Sequence, residues 1–77
     1  MADRRLVVHL KAARLEAELT QAELALKVGV TRKTINTVEN GVFVPSTILA
    51  LGLACALGVT VEALFSLAPD SSPDTGP

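Results

Sequence analysis

The sequence predicts an all-α fold, a compact domain of five short helices followed by a disordered tail. The composition is 49% apolar, with two Phe, no Trp and no Tyr. It is dominated by Ala, Leu and Val, which, Val apart, favour helix over sheet. Residues that cap and stop helices recur along the chain at short intervals. Between them, apolar side chains return at helical spacing. A length of 77 residues fits one domain, one that buries only about 60% of the surface its unfolded chain would expose.

Residues 3–17, DRRLVVHLKAARLEA, read as the first helix, with Asp3 as N-cap and Leu6, Leu10, Ala13 and Ala17 on one stripe. In TQAELALKVG, residues 20–29, Thr20 followed by Glu23 fits a capping box, and Gly29 is a stop able to take positive φ. That gives a second helix over 21–28 with Leu24, Ala25 and Val28 inward. Thr31 caps a third helix over 32–40. Its apolar side chains, Ile35 and Val38, share one stripe, and Arg32, Lys33, Asn36 and Thr37 lie on the other face.

From Val42 to Val61 twenty residues pass without a charge, about the length that spans a bilayer. Ser46, Gly58 and Thr60 break that run into loop, helix, corner and helix, so the sequence predicts no membrane span. Glu62 suits the positive end of the fifth helix. The domain is expected to occupy 1–67. Residues 68–77, rich in Pro, Ser, Asp and Gly, are expected to be a disordered tail or linker.

Net charge is −1, yet all seven bases lie within residues 1–41 beside five acids, and the remaining residues hold three acids and no base. A basic half joined to an acidic half says more about partners than the total does. One cysteine suits a reducing compartment, and a cytoplasmic protein is expected. The first thirty residues are charged and amphipathic, unlike a signal peptide. His9 and Cys55 stand alone, so neither a metal site nor a cofactor is predicted. With no nucleophile–base pair and no phosphate loop in view, no enzyme is predicted either.

Counted from Gln21, apolar residues fall at the fourth, eighth, tenth, fifteenth and eighteenth places: Leu24, Val28, Val30, Ile35 and Val38. Small Ala25 is fifth and Gly29 ninth. Two short helices crossing steeply need a small residue at closest approach, a turn residue free to take positive φ, and an apolar wedge between them. Together these places describe a helix-turn-helix.

LTQAELALKVGVTRKTINTVENG, followed by VPSTILALGLACALGVTVEALF, resembles the lambda-repressor-like, Cro-type proteins of the Xre family. The resemblance covers residues 6–67. It implies a five-helix domain that binds double-stranded DNA, usually as a symmetric homodimer, with the third helix in the major groove. By position it places Arg32, Lys33, Asn36 and Thr37 at bases and Gln21, Thr34 and Asn40 at phosphates. Arg and Lys can reach guanine O6 and N7, Asn can pair with adenine, and the Thr methyl can meet a thymine methyl. The resemblance also implies that Arg14 pairs with Glu39.

Three departures stand out. Glu18 occupies a place where glycine commonly ends the first helix, which predicts a differently built corner. VFVP, residues 42–45, replaces a loop that often carries a base, which predicts fewer phosphate contacts and a shallower salt dependence. The fourth helix lacks outer charges: Ile48, Gly52 and Cys55 form a second apolar stripe beside the inner face of Leu49, Leu53, Ala56 and Leu57. Contiguous apolar surface marks an interaction site, so a homodimer or partner interface is expected there, with Val61, Leu64 or Phe65 contributing. The leading expectation is a transcriptional regulator repressing from a palindromic operator. Two alternatives stand beside it: an antitoxin-type module that binds a toxin, and the DNA-binding front of a longer regulator with a fused ligand-binding domain.

Overall fold

The computed structural model describes residues 6–68. In chain order the elements are β1 (Leu6–Val8), α1 (Leu10–Glu16), α2 (Gln21–Val28), α3 (Arg32–Glu39), α4 (Thr47–Leu57), α5 (Val61–Leu64) and β2 (Phe65–Leu67). The helices past residue 20 begin where the sequence supplies a cap. Thr20, Thr31, Ser46 and Thr60 each accept the backbone N–H three residues on, at 3.0–3.2 Å, which satisfies an amide that the helix itself leaves unpaired. Thr20 and Glu23 form the full capping box, with Glu23 Oε1 accepting the Thr20 amide at 2.8 Å.

Two corrections concern the ends of the domain. The first helix does not run from residue 3: it starts at Leu10, and Leu6–Val8 is a strand. The predicted cap Asp3 and the 69–77 part of the expected tail lie outside the described residues. The fold is therefore mostly helical with a small sheet, rather than all-α. The sheet is antiparallel and pairs Leu6 with Leu67, Val7 with Ser66 and Val8 with Phe65. Its physical basis is the alternation of Leu6 and Val8, which pack against the core on either side of Val7, the two-residue period of a strand. β-Branched Val7 and Val8 also suit extended backbone. The His9 amide donates to the Leu64 carbonyl at 2.7 Å, and the His9 ring lies 3.2 Å from the Ser66 hydroxyl. Phe65 leaves the fifth helix for extended geometry (φ −139°, ψ 139°), which limits α5 to four residues.

Leu10, Leu24, Ile35, Val38, Leu53 and Leu64 are fully buried, with Ala25, Ala54 and Phe65 beside them. Every helix contributes to this one cluster. The corner between α1 and α2 has the left-handed backbone that a glycine would supply, but Glu18 adopts it, at φ 59°. A non-glycine residue thus holds the conformation that glycine takes without steric cost. Among the described residues no helix is long and apolar enough to cross a membrane.

Candidate nucleic-acid interface

α2 and α3 are fixed together from the inside. Leu24 and Ala25 on α2 meet Ile35 and Val38 on α3, all within the core. Gly29 closes α2 at φ 76°, and the next amide, Val30, returns to the Ala25 carbonyl at 3.0 Å. With no Cβ, glycine takes this conformation without steric cost. Thr31 then starts α3. Because Ile35 and Val38 take up the inner stripe, the opposite face carries Arg32, Lys33 and Asn40, all exposed, with Asn36 and Thr37 half-buried at its margins.

Beside that face runs a polar network that begins on α1. Arg14, a buried residue of α1, donates from Nε to Glu39 Oε2 at 2.5 Å and from Nη2 to Oε1 at 3.3 Å. Its Nη1 donates to the Leu19 carbonyl at 2.8 Å. The two side chains are 8% and 2% exposed, so this ion pair is interior rather than superficial. Gln21 Nε2 donates to Glu39 Oε1 at 2.9 Å and to Asn36 Oδ1 at 3.1 Å. Arg32 Nη1 donates to Gln21 Oε1 at 3.3 Å, and Asn40 Nδ2 donates to Asn36 Oδ1 at 3.3 Å. Among the described residues no buried side-chain polar atom is left without a partner, the condition under which a buried polar network holds a single arrangement.

The structure brings Arg14, Gln21, Arg32, Asn36, Glu39 and Asn40 into one network and leaves Lys33 outside it. Thr34 lies beside Thr31, hydroxyl to hydroxyl at 3.1 Å. Thr37 donates its hydroxyl to the Thr34 carbonyl at 2.9 Å. Its own carbonyl accepts the Val42 and Phe43 amides at 2.9 and 3.2 Å, which folds the loop after α3 back against the helix. That contact, and the Gln21–Asn36 bond, are absent from the sequence expectations; the second had a legible signal, two carboxamides on helices already known to pack. Glu23, at the start of α2, has its carboxyl held below the usual carboxylate range, first by the Thr20 amide and next by the Thr20 hydroxyl.

The expected interface residues separate into three groups. Ile48 (84% exposed), Gly52 and Cys55 do lie along the outer side of α4. Val61 lies on a different face, in a shallow apolar groove with Leu6, Val44, Pro45, Ala50 and Leu51. Leu64 is corrected outright, and Phe65 in large part, since it also lines that groove. They are core residues, 0% and 8% exposed, because the turn from α5 into β2 carries them under the domain. No group of three or more His, Cys, Asp or Glu able to hold a metal occurs among the described residues.

Comparison with known proteins agrees with this geometry. A family model described as helix-turn-helix matches residues 10–64. An uncharacterized HTH-type transcriptional regulator of Methanothermobacter thermautotrophicus is 50% identical over 60 residues, covering 77% of this chain and 87% of the relative. One of Bacillus subtilis is 39% identical over 57 residues, 74% of this chain and 86% of its own. Among solved structures, the restriction-modification controller protein C.AhdI of Aeromonas hydrophila superposes with a TM-score of 0.69 at 34% identity, covering 73% of this chain and 81% of that one. The clp gene regulator ClgR of Corynebacterium glutamicum gives 0.66 at 28% identity, over 69% and 56%. With its two capped helices, its left-handed turn at Gly29 and a family match spanning most of its length, the chain belongs to the Cro/C1-type helix-turn-helix family.

Proposed function

We propose that this chain is a sequence-specific, double-stranded-DNA-binding transcriptional regulator that represses as a homodimer on a palindromic operator. The observation that carries the reading is the division of α3. Ile35 and Val38 lock one side to α2, while the other presents Arg32, Lys33, Asn36, Thr37 and Asn40 with no acid among them. The only carboxylate of α3, Glu39, is neutralised by Arg14. A helix of this shape and polarity fits the major groove, where its first residues meet base edges. Arg32, Lys33, Asn36 and Thr37 are the base-reading set. Gln21, Thr34 and Asn40 flank it toward the phosphates, and the free amides at the start of α2 suit an anionic oxygen. The relatives' description as transcriptional regulators supports the same role.

The homodimer rests on α4, which has eleven residues and no charge. Ile48 stands out from it, 84% exposed, in line with Gly52 and the exposed Cys55. Exposed apolar ridges of this kind mark association surfaces. A two-fold dimer would set its α3 helices on half-sites about 34–36 Å apart, one turn of duplex. Selection of bound duplexes from a random pool, with an Arg32→Ala, Lys33→Ala double variant alongside, tests the reading. A palindromic motif that the variant loses is expected. No motif, or one the variant retains, would refute base reading by α3.

A further inference from the structure

Two carboxamides at the edge of the recognition face have their orientation dictated by charged neighbours. A carboxylate only accepts hydrogen bonds and a guanidinium only donates them. Glu39 Oε1 therefore takes the amino end of Gln21, Nε2, at 2.9 Å, and Arg32 Nη1 meets the carbonyl end, Oε1, at 3.3 Å. Turning Gln21 over would set oxygen against carboxylate and amino group against guanidinium. Its orientation is fixed, and it fixes the next one. The second hydrogen of Gln21 Nε2 goes to Asn36 Oδ1 at 3.1 Å, and Asn40 Nδ2 reaches the same oxygen at 3.3 Å. A carbonyl oxygen has two lone pairs, so that of Asn36 is fully engaged. Turning Asn36 over would put its amino group against the fixed amino group of Gln21, while the exposed Asn40 carboxamide is free to turn with it.

An asparagine that recognises adenine uses both ends of its carboxamide, accepting from N6 and donating to N7. Asn36 has only its Nδ2 hydrogens to offer. Guanine presents two acceptors in the major groove, O6 and N7, and no donor. Cytosine presents its amino donor there, which would face the Nδ2 hydrogens. We infer that Asn36 reads DNA as a donor only and selects guanine over adenine, with Gln21, held by Glu39, as the residue that positions it. The inference rests on the placement of α3 in the major groove proposed above. Glu39 is anchored in turn by Arg14 on α1, so the selection is set before DNA arrives.

Selection from a random duplex pool by the wild-type chain, Asn36→Ala and Gln21→Leu tests this. The position whose preference flattens in Asn36→Ala is the one Asn36 reads. There the wild type is expected to favour guanine over adenine by about fivefold or more. Hypoxanthine, which keeps O6 and N7, is expected to bind within about twofold of guanine, as readout from the major groove requires. Gln21→Leu frees the carboxamide to turn and also removes a residue placed beside the phosphates, so it should bind more weakly overall. The quantity read is the base ratio among the duplexes it still selects, where adenine should rise to within about twofold of guanine at that position. Adenine or cytosine preferred by the wild type would overturn the inference without any variant having to fold. An unchanged guanine-to-adenine ratio in a Gln21→Leu chain that still selects the motif would overturn it too. A motif lost with Arg32→Ala, Lys33→Ala but untouched by Asn36→Ala would overturn this inference alone. No motif from the wild type would remove the DNA-reading proposal as well.

Discussion

Replacing Glu39 with alanine should come close to unfolding the domain. Arg14 and Glu39 share two hydrogen bonds, and their side chains are 8% and 2% exposed. The variant leaves the Arg14 guanidinium inside the domain with one remaining acceptor, the Leu19 carbonyl. Removing one member of a buried pair costs about 3–5 kcal/mol, because the other charge stays desolvated and uncompensated. A domain of this size holds roughly 4–11 kcal/mol in total. At about 4–8 °C per kcal/mol, the midpoint of thermal unfolding should fall by at least about 12 °C. A double variant, Arg14→Met with Glu39→Leu, removes both charges and fills the space, and should recover most of the loss. Urea unfolding followed by circular dichroism measures both. A loss below about 1 kcal/mol in Glu39→Ala, the value of an exposed pair, would refute the reasoning, and so would a double variant no more stable than the single one.

Four further outcomes follow from the geometry. Glu18→Gly should stabilise the domain by about 0.5–1 kcal/mol in the same urea assay: relief of a left-handed residue is worth about 1–2 kcal/mol, and glycine's extra freedom when unfolded takes back about 0.5–1. Thr20→Ala should cost about 1 kcal/mol by loss of the α2 cap. Glu23→Gln should flatten the acid limb of a stability–pH curve, an effect Thr20→Ala cannot produce in full because the backbone amide of residue 20 survives it. The Glu23 carboxyl is held below its ordinary value when folded, so its contribution is complete above that ordinary value and disappears as the pH falls through the lowered one. Ile48→Glu should turn a dimer into a monomer by light scattering at unchanged helical content; an unchanged mass would move the interface off the outer ridge of α4 and toward the groove of Val44, Leu51 and Val61.

The helices past residue 20 were legible because their information is local. Thr20 with Glu23, Thr31, Ser46 and Thr60 each place a side-chain oxygen within reach of an amide three residues on, and no distant contact is needed to read that. The strands were not legible for the opposite reason. Leu6–Val8 extends because Phe65–Leu67 lies beside it, and no window around residue 6 contains residue 66. The apolar spacing of Leu6, Leu10 and Ala13 is real, but Leu6 reaches the core from a strand and Leu10 from a helix, so one stripe was assembled from two elements. The same non-local pairing removes Phe65 from α5 and, with Leu64, draws it into the core, although the pattern of α5 alone leaves both available for an outer surface.

Legibility of the candidate site divides along the same line. Which residues face outward on α3 follows from the spacing of Ile35 and Val38, and the structure places Arg32, Lys33 and Asn40 on that exposed face. What each residue has left to offer depends on partners from other helices. Asn36 read alone carries a donor and an acceptor and suits adenine. Beside Gln21 its acceptor is engaged, and the base it suits changes. The hydrogen of Thr37 is likewise given to the Thr34 carbonyl, which leaves its methyl group and hydroxyl lone pairs for a base under the proposed docking. A recognition helix is thus not a string of independent letters. Its chemistry is the residue set minus what the scaffold has already used, and here the subtraction begins on α1, at Arg14.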